Sequence, residues 1–208
     1  MKRLVFSAAV FATLAAVASP AMAESGDWLV RLRAIDVMPN EGATISPIGG
    51  DVDISDQIVP ELDITYFVQD NWAVELILGV TPHDVQAVGT TAGDIDLGEV
   101  TLLPPTLTLQ YHFNPDGQMR PYLGAGVNYT HFFNEDLPGG SALTRISYDE
   151  SFGLAAQAGI DFALQDEWFL NLDLKYIDIN TDVLIDGAIA ASVDIDPLVL
   201  GVGFGRRF

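Results

Sequence analysis

The chain ends LVLGVGFGRRF, residues 198–208. Leu198, Leu200, Val202 and Phe204 alternate with Gly201, Gly203 and Gly205. Successive side chains of a strand point to opposite faces, so one face here is apolar and the other nearly bare. A sheet facing water would carry polar residues on that second face. Bulk set against absence asks instead for an apolar solvent outside and a confined space inside.

The same period of two recurs along the chain. DWLVRLRA sets Trp28, Val30, Leu32 and Ala34 against Arg31 and Arg33, and PELDITYF sets Leu62, Ile64 and Tyr66 against Glu61, Asp63 and Thr65. WAVELILGV opposes Trp72, Val74, Leu76 and Leu78 to Glu75 and Ile77, and PTLTLQYHF opposes Leu107, Leu109 and Tyr111 to Thr108, Gln110 and His112. RPYLGAGVNYTHF, SFGLAAQAGIDF and WFLNLDLKY continue the pattern, the last two with Gln157, Asp161, Asn171, Asp173 and Lys175 on their polar faces. With the terminal stretch, eight strands are predicted. Short breaks (VQDN, NPDGQ, ALQDE) alternate with long acidic connections, and tryptophans stand at segment ends. Short turns at one end and longer loops at the other, with interfacial aromatics, are the marks of an all-β, eight-stranded antiparallel transmembrane β-barrel.

A basic start at Lys2 and Arg3, the apolar run LVFSAAVFATLAAVA and the small residues AMA at 21–23 predict a secretory signal peptide over residues 1–23. Residues 24–208 then form a single outer-membrane barrel domain. Apolar types are 49% of the chain and charged types 18%, yet no apolar run is long enough for a spanning helix, which needs about 20 residues. Without cysteine there is no disulfide framework, zinc thiolate or thiol nucleophile. Beyond the signal, seven Lys and Arg face 29 acids, a net charge of −22 with His neutral. Nucleic acid is excluded as a partner, because phosphate binding runs on Lys and Arg. A soluble β-sandwich with one wet face is the competing architecture. The glycines on the non-apolar faces of the fifth, sixth and eighth segments count against it.

These stretches resemble the OmpW family of outer-membrane proteins. RLRA, PELDITYF, NWAVELI, LPPTLTLQYHF, RPYLGAGVNYT, QAGIDF, WFLNLDLKYIDI and DIDPLVLGVGFGRRF carry the resemblance in order along the chain. It implies a barrel in the cell outer membrane of a Gram-negative bacterium. It also implies a narrow, largely hydrophobic channel that binds or admits small hydrophobic molecules and releases them sideways through a gap in the wall. By resemblance to outer-membrane proteins generally, the terminal Phe208 is the signal read by the assembly machinery.

Inside such a barrel, Arg31, Arg33, Glu61, Asp63, Glu75, Gln110, His112, Gln157, Asn171, Asp173 and Lys175 are expected to line the lumen. Buried charges must pair or stay wet, so these residues are expected to plug the lower or middle part. At Pro104-Pro105, which supply no backbone donor, the apolar register changes from Val100 and Leu102 to Leu107 and Leu109. A bulge or wall opening is expected there, and a second bulge at Asp196-Pro197. Enzyme chemistry finds no support, because His83-Asp84 has no neighbouring serine and adjacent strand residues face apart. Catalytic residues, metal ligands and cofactors are accordingly expected to be none. The acidic loops lack calcium-loop spacing. The expected partners are outer-membrane lipid and lipopolysaccharide, a small hydrophobic ligand and the assembly machinery. The competing functional reading is a sealed structural or surface-interaction barrel without transport.

Overall fold

A computed structural model describes residues 25–208; the expected signal segment lies outside them. In chain order the strands are β1 (Trp28–Met38), β2 (Gly42–Ser46), β3 (Asp51–Ile54), β4 (Gln57–Gln69), β5 (Trp72–Gly79), β6 (Thr81–Thr90), β7 (Gly93–Leu103) and β8 (Thr106–His112). There follow β9 (Met119–Asp136), β10 (Ile146–Tyr148), β11 (Ser151–Ala163), β12 (Trp168–Ile177), β13 (Asn180–Ile185), β14 (Ile189–Asp194) and β15 (Leu198–Arg207).

Eight of these close a barrel in the order β1-β4-β5-β8-β9-β11-β12-β15, with β15 returning to β1 and every pairing antiparallel. Closure satisfies the backbone groups that a hydrocarbon solvent would leave unpaired. The chain end completes it: Phe208 N–H donates to the Trp28 carbonyl (2.8 Å), and Trp28 N–H to that of Phe208 (3.1 Å). Tight turns join β4 to β5, β8 to β9 and β11 to β12 at the end that holds Trp28 and Phe208. By the general arrangement of such barrels that end is periplasmic.

The outer wall is apolar and exposed, as at Leu32, Leu76, Leu107, Leu123, Leu172 and Leu200. Periplasmic aromatics ring its lower edge. Trp28 packs on Tyr66 with ring centroids 4.9 Å apart, and Trp72 on Tyr111 at 5.0 Å. Along β1 the outward face runs from Trp28 to Asp36. At about 3.3 Å per residue and a tilt of about 40°, it covers roughly 20 Å of membrane normal, close to the apolar band of such barrels.

The long connections are themselves largely strand. Above the band they form two facing sheets, β3-β6-β7-β9 and β10-β13-β14-β2. Here the polarity reverses. Asp53, Asp84, Asp182, Ser192 and Asp194 point outward and are exposed, while Ile45, Val52, Val85, Leu102, Val183 and Ile195 are buried between the sheets.

This reversal corrects the expected bulges. Leu102 pairs with Phe132 and Thr106 with Asn128 in one unbroken register, so nothing is inserted at Pro104-Pro105. Asn180 pairs with Asp194 and Tyr176 with Leu198, again without a shift across Asp196-Pro197. The apolar residues change parity because the solvent changes, and the backbone keeps its phase. An outward lysine should therefore cost stability only below the boundary. Leu109→Lys is expected to destabilise the barrel by about 2–4 kcal/mol in lipid vesicles, and Ser192→Lys by less than about 1 kcal/mol. Urea unfolding of the two variants side by side tests this.

Candidate functional site

The glycines of β15 make room for two arginines. A Cβ on Gly205 would lie 2.8 Å from Arg31 Cγ, and one on Gly201 would lie 3.3 Å from Arg33 Cδ. The bare face of the terminal strand is the surface along which these arms lie. Arg31 and Arg33 enter from β1, where their neighbours in register are Asp63 and Glu61 on β4 and glycines on β15.

All eleven expected lumen residues are buried, and most belong to one network. Arg31 grips Asp161 with two bonds (3.2 and 2.7 Å) and donates to Glu75 and Thr65 at 2.8 Å each. Arg33 bonds Asp63 at 2.6 Å and lies 3.1 Å from both Asp173 and Glu61. Lys175 bridges Glu61 and Asp173 at 2.5 and 3.3 Å. Amides and a phenol satisfy the remaining carboxylate oxygens. Gln157 donates to Glu75 and Asp173 at 2.9 Å each, Gln110 to Glu75 at 2.6 Å, Asn171 to Asp161 at 2.8 Å, and Tyr122 to Asp173 at 2.6 Å. His112 lies below, 3.1 Å from Gln110 and stacked on Tyr122.

Beneath this layer Phe67 and Phe169 close the periplasmic end. Arg207 lies over both rings, 5.0 and 5.1 Å from their centroids, and Arg120 lies 4.7 Å over Phe169. The lower lumen is therefore packed with side chains.

Lys175 and Glu61 are the top of that packing. Above them the inward faces of β1, β12 and β15 turn apolar, while Asn128, Thr130 and Ser151 keep buried polar contacts on β9 and β11. A lower chamber of about 500 Å³, its open part included, is lined by Glu61 at its floor and by Ile35, Ile77, Leu102, Ile177, Pro197 and Val199 among others. An upper chamber of about 760 Å³ on the same measure lies between the two extracellular sheets. His83, Leu102 and Ile195 line both, so the two chambers adjoin at these side chains and are together called the shaft. Among the described residues, the polar side chains that line the upper chamber are those of His83, Tyr148 and Thr181. Burial pushes the Tyr148 phenol above its usual range, and Glu135 adds to this. Burial pushes the His83 imidazole below its usual range, against the pull of the Ser55 carbonyl, Asp56 and Asp84.

A closed eight-stranded outer-membrane barrel agrees with a family comparison. The model of the OmpW family matches residues 24–208. The chain belongs to the OmpW family. Outer membrane protein W of Vibrio cholerae is 34% identical over the full length of both chains. The crystal structure of the outer membrane protein OprG from Pseudomonas aeruginosa is 31% identical, covers 89% of this chain and 97% of its own, and superposes with a TM-score of 0.82. The dibenzothiophene metabolism operon protein PahQ of Pseudomonas aeruginosa is 32% identical over 92% of this chain and 93% of its own. This OmpW-family protein is an outer-membrane protein of a Gram-negative bacterium.

Several residues of the site were not singled out from the sequence. Asp161 and Tyr122 share the inward parity of their strands, and that signal sufficed to find them. Arg120 and Arg207 likewise share the inward parity of their strands, near the start of β9 and at the end of β15. The shaft residues Ile35, Val37 and Ile177 were hidden because an apolar side chain of inward parity looks like an exception until the polarity reversal is known.

The network predicts an asymmetric response to truncation. Arg31→Met leaves Glu75 and Asp161 buried without their main counter-charge and is expected to cost about 3–5 kcal/mol. Adding Glu75→Leu and Asp161→Leu to it should recover most of that loss. Urea midpoints in vesicles, followed by tryptophan emission, check both.

Proposed function

We propose that this protein binds small hydrophobic molecules in the shaft and admits them across the polar outer leaflet of the outer membrane, without catalysing a reaction. The observation that carries the reading is the end of the charged packing at Lys175 and Glu61, above which the chambers are lined mainly by apolar side chains. A barrel with a purely structural role would gain by filling the upper half in the same way. Here that half keeps an apolar, incompletely filled space between the walls. The name of PahQ, which places that relative in an operon for metabolism of an apolar aromatic compound, agrees with the reading.

The floor blocks the barrel axis, so a ligand in the lower chamber leaves through the wall. The wall is weakest beside that chamber. Pairing of β4 with β5 ends at Glu61 and Gly79, and the β3–β6 ladder reaches down only to Ile54 and Val85, with Ser55 N–H donating to the Asp84 carbonyl just below. On the other side, the β5–β8 ladder ends at Ile77 and Thr106, and β6–β7 resumes at Thr81 and Leu102. Val80 is therefore unladdered on both sides and faces outward, 46% exposed. Pro60, Pro104 and Pro105 stand across from it and contribute no N–H. On the β9 side the wall holds, through Tyr129 N–H to the Pro105 carbonyl (3.1 Å). We place the sideways exit at Val80, at the height of Pro104-Pro105. Outer-membrane lipid and lipopolysaccharide surround the apolar band and receive the ligand. Phe208, 67% exposed at the rim, is offered to the assembly machinery.

Restoring the missing donors should narrow the exit. The double variant Pro60→Thr, Pro104→Thr is expected to slow uptake of an apolar fluorescent tracer into protein-loaded vesicles severalfold while the barrel still folds, as judged by heat-dependent gel mobility. Uptake by the wild type equal to that of protein-free vesicles would overturn the reading.

A further inference from the structure

His83 stands where the two chambers meet and is 2% exposed. Its Nδ1 lies 2.7 Å from the Ser55 carbonyl oxygen. A carbonyl only accepts, so Nδ1 carries the proton and the neutral ring is left with Nε2 as an acceptor. Nδ1 is turned to the wall strand, and Nε2 is the polar atom the ring offers to the shaft. We propose that His83 is a specificity residue, and that the preferred ligands of the shaft are small hydrophobic molecules bearing one hydrogen-bond donor, such as an aromatic or aliphatic hydroxyl, which His83 Nε2 accepts.

The inference rests on the function proposed above and adds the chemistry of the ligand to it. The other polar groups of the shaft are less selective. Thr106 and Thr181 already donate to the carbonyls of Pro104 and Asp149, at 3.0 and 2.7 Å. Glu61 is held by Lys175 and Arg33 at the floor. The hydroxyls of Thr81 and Tyr148 rotate and serve as donor or acceptor alike. A neutral Nε2 with its partner nitrogen committed has one role only. Burial keeps the ring neutral, in line with the lowered affinity of this imidazole for a proton. In so apolar a space an unmet acceptor is costly, and a ligand that brings a donor removes that cost where an isosteric hydrocarbon does not.

A pair of probes matched in shape tests this: 2-naphthol and 2-methylnaphthalene, titrated into the full-length mature barrel in phosphatidylcholine vesicles, with partition into protein-free vesicles subtracted. The wild type is expected to bind 2-naphthol about five- to tenfold more tightly, the worth of one buried hydrogen bond. His83→Leu should lose that preference. His83→Gln, whose side-chain carbonyl accepts, should regain part of it. In wild-type protein with 15N-labelled histidine, 2-naphthol should shift the His83 Nε2 resonance toward its hydrogen-bonded position, and 2-methylnaphthalene should not. Equal binding of the two probes by the wild type, or a preference that survives His83→Leu, overturns the assignment of His83 and leaves the shaft as a ligand site. If neither probe binds saturably, the parent reading falls with it.

Discussion

One strand of this protein passes through two solvents without changing its backbone phase. Residues of one parity face inward on both sides of the boundary, because antiparallel pairing holds its register across Pro104-Pro105 and across Asp196-Pro197. In β6 and β7 the register shifts come higher, at Val85-Gln86 and Glu99-Thr101. What changes is the medium outside. Lipid demands apolar residues on the outer face, and water above it demands polar ones. The interior must then be the complement at each height. The charged lower lumen and the apolar upper shaft are two consequences of that single constraint.

The charged half is stable only as a set. Arg31, Arg33 and Lys175 meet five carboxylates, with amides and Tyr122 taking up the remaining lone pairs. Charges taken out of water are tolerable when each is paired and hydrogen-bonded, and costly when one partner is missing. The glycines of β15 belong to the same design, since any larger side chain there would displace the arginine arms. A polar plug so tightly held also defines a floor beneath the shaft.

The apolar half behaves more like the interior of a soluble β-sandwich than like a pore. Two four-stranded sheets pack their apolar faces toward one another, yet leave space between them where a sandwich would fill it. His83 lines both chambers of that space, and the interrupted ladder around Val80 lies beside it.

The sequence alone determined the barrel. Alternation in eight segments, the aromatic ends and the alternating connection lengths are local patterns, and a bilayer permits only one way to satisfy them. The inward parity of Arg31, Arg33, Glu61, Asp63, Glu75, Asp173 and Lys175 is equally local. Which carboxylate each arginine takes was not, because Arg31 and Asp161 are 130 residues apart and meet only when the cylinder closes. The shaft was hidden for a related reason. Val100 and Leu102 read as a slipped register until the height of the membrane boundary is known. That height is a property of the folded barrel, set by where Trp28, Trp72 and Trp168 stand relative to Asp36, Tyr129 and Tyr176.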